Sequence, residues 1–75
     1  MEHIGKLIRQ ELDAQERGVT WFAHKLNCHR QNVYDILSRS TIDTSLLMRI
    51  SQILQKDFFA IFSDELKERI KAGQH

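Results

Sequence analysis

The sequence predicts an all-α fold, and three observations carry that prediction. Apolar residues recur at spacings of three and four along nearly the whole chain, the period of a helix face. β-branched alternation over a strand's length appears nowhere. No proline and only three glycines occur in 75 residues, which argues against collagen-like, linker-like or β-turn-rich architecture.

Each element follows from local residues. The first helix is predicted from Glu2 to Arg17, with Ile4, Leu7, Ile8 and Leu12 on one stripe and Gly18 as its C-terminal stop. A second helix is predicted over Trp21 to Leu26, with Thr20 as N-cap. Asn27 breaks it, because asparagine tolerates the left-handed conformation. A third helix is predicted from Arg30 to Ser38, turning Val33, Ile36 and Leu37 inward. A fourth follows Asp43 as N-cap, with Ile42 and Leu47 placed for a hydrophobic staple. Its stripe is Leu46, Leu47, Ile50, Ile53 and Leu54, with Met48 at the edge. Asp57 caps a short fifth helix containing Phe58, Phe59, Ile61 and Phe62. Ser63 with Asp64 and Glu65 then reads as a fresh helix start carrying Leu66 and Ile70. The last five residues read as a frayed tail.

Size and composition bound the function. The length is that of one small domain. Such a chain builds one core, not a core and a large enclosed cofactor cavity. The 41% hydrophobic content is too high for a disordered chain. No apolar run approaches the roughly 20 residues that span a bilayer. The N-terminus lacks an apolar signal segment, so the expected location is cytoplasmic. One cysteine, Cys28, makes no intramolecular disulfide and fits a reducing compartment. The net charge of +1 is uninformative, but its distribution is not. Lys25, Arg30 and Arg39 oppose Asp35 alone between residues 18 and 40, so the positive excess lies in that middle segment.

Residues 19–38 hold the informative pattern. Two short helices are joined by a turn too tight for antiparallel packing, so they must cross steeply. Ala23 is the small residue such a crossing needs, and Asn27 accepts the unusual turn backbone. Phe22, Leu26, Cys28, Val33 and Ile36 supply the apolar corner. This is the pattern of a helix-turn-helix unit.

The segment resembles the helix-turn-helix of the phage-repressor (Cro/repressor, Xre-type) family of DNA-binding regulators. The resemblance covers about residues 4–62, with one helix before the motif and two after it. Residues 63–75 are an unassigned C-terminal extension and tail. The opening Trp21-Phe22-Ala23 and the closing Asp57-Phe58-Phe59 are similar to small bacterial members. Three positions depart from the family pattern. Asn27 stands where glycine is frequent. Val19 and Thr20 stand where a phosphate-clamping glutamine is common. Arg39 stands where glycine often follows the recognition helix.

The resemblance implies a compact, five-helix, lambda-repressor-like domain that binds double-stranded DNA as a homodimer, without a cofactor or small-molecule ligand. Its third helix would lie in the major groove. Arg30 suits guanine and Gln31 suits adenine. Asn32 and Tyr34 would reach neighbouring bases or phosphates, and Asp35 would accept from cytosine or orient Arg30. Thr20, Trp21, Lys25, His29, Arg39, Ser40 and Thr41 are the phosphate candidates. The expected role is transcriptional regulation, most simply repression.

Plainer readings stand beside these. The polar face of the third helix also fits a solvated surface. Trp21 also fits core packing against the first helix. Phe58, Phe59 and Phe62 either close the core or include a dimer contact. His29 fits a helix cap as well as a phosphate contact. His24, Cys28 and His29 lack a fourth ligand and zinc-site spacing, so no metal is expected. No phosphate loop or nucleophile elbow is present, so no enzyme is expected. The competing class is a protein-binding module, an antitoxin or adaptor built on the same scaffold.

Overall fold

The computed structural model describes residues 3–73. Five helices follow one another, and no strand occurs among the described residues: α1 (Ile4–Ala14), α2 (Val19–Leu26), α3 (Arg30–Ser38), α4 (Thr44–Leu54) and α5 (Phe58–Ala72). None is long and apolar enough to cross a membrane.

One core joins all five. It is built from Ile4, Ile8 and Leu12 of α1, Phe22, Ala23 and Leu26 of α2, and Val33 and Ile36 of α3. Leu47, Ile50 and Leu54 of α4 and Phe58 of α5 complete it. These are the predicted stripes, narrowed: Leu7, Leu37, Leu46 and Ile53 are partly buried and pack around its edge. Met48 is not an edge residue of the core but stands exposed.

Helix starts follow the capping chemistry in part. Asp43 accepts the Leu46 N–H at 2.7 Å and caps α4 as predicted. Asp57 does the same for α5 through the Ala60 N–H at 3.1 Å. α1 opens at His3, whose Nδ1 accepts the Lys6 N–H; Glu2 lies outside the described residues. Thr20 is not the N-cap of α2. The helix begins one residue before it, at Val19, and Gly18 holds the cap position in an extended conformation.

The ends of α1, α2 and α4 share one device. Glu16, Asn27 and Gln55 each adopt positive φ, at 57°, 56° and 53°. After α2, the Asn27 N–H donates to His24 and the Cys28 N–H to Ala23, the paired bonds of a Schellman cap. After α1, Glu16 and Arg17 donate to Asp13 and Leu12 in the same way. The stop of α1 is therefore Glu16, not Gly18. The first helix also ends three residues earlier than the predicted Arg17.

The largest difference lies at the C-terminus. Ser63, Asp64 and Glu65 do not start a new helix. They continue α5, which runs unbroken for 15 residues. Its interior holds no glycine or proline, so nothing at Ser63 stops propagation. Lys71 and Ala72 belong to the helix rather than to a frayed tail, while Gln74 and His75 lie outside the described residues.

Candidate nucleic-acid interface

The α2–α3 corner positions the candidate surface. Asn27 turns the chain in the left-handed conformation, and α3 begins three residues later. Phe22, Ala23, Leu26, Val33 and Ile36 are buried at that corner, and Cys28 is half-buried beside them. Burial of Val33 and Ile36 fixes the rotation of α3. Arg30, Gln31, Asn32, Tyr34 and Asp35 are consequently all exposed. The helical period divides them. Gln31 and Asp35 lie along the outer crest. Arg30 and Tyr34 lie one turn apart on one flank, and Asn32 lies on the other.

Asp35 does not orient Arg30. Its carboxylate accepts from the Arg39 guanidinium at 2.7 Å. Both side chains are about half exposed, so this pair contributes only about 0.3–0.5 kcal/mol. Ser38 reinforces the same turn, its hydroxyl donating to the Asp35 carbonyl at 2.7 Å. His29 occupies the N-cap position of α3, but its side chain makes no capping bond.

The phosphate candidates fall into two groups. Thr20, Trp21 and Lys25 lie on α2. Trp21 is half-buried, with the Arg17 guanidinium 4.6 Å and the Lys25 ammonium 5.8 Å from its ring centroid. The indole is thus a platform for two cations. No side chain caps α2, so its first-turn N–H groups keep their donor capacity. Arg39, Ser40 and Thr41 form the second group, exposed in the loop after α3. His29 stands apart from both, exposed at the turn.

Sequence reasoning missed Gly5. Its N–H donates to the Arg39 carbonyl at 2.9 Å, and the Ile4 N–H donates to Ser40 at 3.2 Å. The first amides of α1 therefore satisfy carbonyls of the α3 exit loop. A Cβ on Gly5 would lie 2.2 Å from the Leu37 carbonyl oxygen and 2.7 Å from that of Arg39. Only glycine permits this approach. The available signal was a lone glycine beside Ile4 in an otherwise apolar-periodic helix. Also missed were Lys6, Arg9 and Gln10 of α1, which line a shallow concavity with Tyr34 and Leu37. Three donor-bearing side chains thus stand beside the flank of α3.

Among the described residues, no three His, Cys, Asp or Glu side chains gather as a metal site. Comparisons with protein-family models, curated proteins and solved structures returned no match.

Proposed function

We propose that this chain is a sequence-specific double-stranded DNA-binding regulator of transcription, a repressor acting as a homodimer in the cytoplasm. On this reading α2, the Asn27 turn and α3 form the helix-turn-helix of a lambda-repressor-like domain.

The observation that carries the proposal is the outer surface of α3. Two buried residues anchor the helix, and every side chain it turns outward from Arg30 to Asp35 is polar or phenolic. Arg30 and Gln31 stand in its first turn, where a helix entering the major groove meets base edges. Thr20, Lys25, His29, Arg39, Ser40 and Thr41 flank it with phosphate-competent groups. Trp21 serves this set through the two cations stacked on it.

The test is fluorescence anisotropy on a random-sequence duplex across a salt series, followed by site selection. The expected result is micromolar binding that collapses as salt rises. No binding at low salt overturns the proposal. A second reading, a protein-binding module such as an antitoxin or adaptor, is favoured by one observation. Met48, Leu66 and Ile70 are large apolar side chains left more than half exposed. Retention of a protein partner by a chain without DNA affinity would favour it.

A further inference from the structure

α1 turns a polar face toward α3. Ile4, Gly5, Ile8 and Leu12 are buried, which leaves Lys6, Arg9 and Gln10 exposed at helical spacing on one side. These three line a shallow concavity of about 360 Å³ with Tyr34 and Leu37 of α3. No carboxylate is among its five lining residues. Arg9 has a carboxylate neighbour in Asp13, 3.6 Å away, but both side chains are more than half exposed. Water screens such a pair, so a stronger anion can take the guanidinium over. Leu37 is half-buried and gives the concavity an apolar floor.

The position of this face is fixed by backbone. The Ile4 and Gly5 amides bond the carbonyls of Ser40 and Arg39, and Gly5 lies against the Leu37 carbonyl. Lys6 follows directly, so its helix cannot slide relative to the end of α3. Arg30, Tyr34 and Leu37 stand at i, i+4 and i+7 and share one flank of α3. That flank therefore runs from the first turn of α3 into the cations of α1.

We propose that Lys6, Arg9 and Gln10 hold the sugar–phosphate backbone of the DNA strand that borders this flank, with the Tyr34 hydroxyl donating to the same phosphates. The inference rests on the DNA-binding reading and deepens it. A helix in the major groove, which is about 12 Å wide, has a phosphate backbone on either side. α2 joins α3 at its beginning, whereas the concavity lies toward its end. The α1 face thus supplies phosphate contacts where α2 does not. Two cations and two neutral donors suit phosphodiester oxygens, and the Leu37 floor suits the deoxyribose between them. The concavity is too open to enclose a small free anion. A polymer already held along α3 needs no enclosure.

The test is anisotropy on a random-sequence duplex across a salt series. Lys6→Gln with Arg9→Gln is expected to flatten the slope of log affinity against log salt by about two units. Lys67→Gln, which removes a charge from exposed α5, is expected to leave the slope unchanged. Gln10→Lys is expected to tighten binding and steepen the slope by about one unit. All four positions are exposed, so helical circular dichroism should match wild type. Tyr34→Phe is expected to weaken binding evenly across sequences, and a change of base preference there would overturn its phosphate role.

The failures are distinguishable. A wild-type chain that binds no duplex overturns the DNA reading and this inference together. Wild-type binding with unaltered slopes in both α1 variants overturns this inference alone. A polyglutamate peptide that binds wild type and loses the double variant, while duplex binding stays unchanged, overturns it in favour of an acidic protein partner.

Discussion

The Gly5 N–H donates to the Arg39 carbonyl across 2.9 Å, joining the first turn of α1 to the residue that follows α3. The bond satisfies a helix-terminal amide that has no intrahelical partner. It also fixes where α3 ends. Gly5→Ala would drive a methyl group into the Leu37 carbonyl. The expected cost is about 1–3 kcal/mol, from overpacking against backbone that moves only with α3. Urea denaturation measures it. A loss within experimental error would show that the two helices separate freely.

Asn27 holds the left-handed turn between α2 and α3. Alanine there lacks the local hydrogen bonding that makes asparagine tolerable at positive φ, and Asn27→Ala is expected to destabilise by about 1 kcal/mol. Asn27→Gly should stay within about 0.5 kcal/mol of wild type, since the caps of many helices use glycine at this place. Thermal unfolding of both variants distinguishes the backbone effect from loss of the side chain. Equal destabilisation would assign the effect to the amide instead.

The Asp35–Arg39 pair sets a prediction for DNA. Asp35→Asn removes a negative charge from the crest of α3 and releases Arg39. Affinity for a random duplex should rise, and the salt slope should steepen by up to about one unit. Arg39→Ala should weaken binding evenly across sequences. Arg30→Ala should cost about 1–3 kcal/mol at a selected site and relax one base preference. Anisotropy titrations at several salt concentrations test all three. A sequence-selective effect at Arg39, or none at Arg30, would reverse their roles.

Ser51 has a buried hydroxyl with no hydrogen-bond partner. Its removal gives up no bond and relieves a desolvated polar atom. Ser51→Ala is expected to be neutral or to stabilise by up to about 1 kcal/mol, helped by the higher helix propensity of alanine. A clear loss of stability in denaturant would point to a partner for the hydroxyl.

Local chemistry made much of this architecture readable. The limits of α3, the Asp43 and Asp57 caps and the left-handed Asn27 follow from side chains acting on their own neighbours. The exposed rank from Arg30 to Asp35 was legible too, because burying Val33 and Ile36 determines which way it faces. Features set by distant contacts were not. Gly5 matters because Leu37 and Arg39 come against it from 32 and more residues away. Glu16 and Gln55 take positive φ without the residue types that advertise it. Gln15 bonds the Leu54 carbonyl at 2.7 Å, a partner no periodicity points to. At Ser63 the opposite failure occurred: a sound local start signal was overridden by a helix already under way.

Trp21 gives the molecule an internal optical probe. It is the chain's single tryptophan, and its ring is contacted by Arg17 just beyond α1 and by Lys25 within α2. Its emission should therefore register the docking of the first two helices during refolding, without any added label. The same ring borders the phosphate-competent end of α2, so a bound polyanion that draws either cation away will alter its intensity. One spectrum can then follow both assembly of the chain and occupation of its surface, and the two signals separate by their dependence on salt.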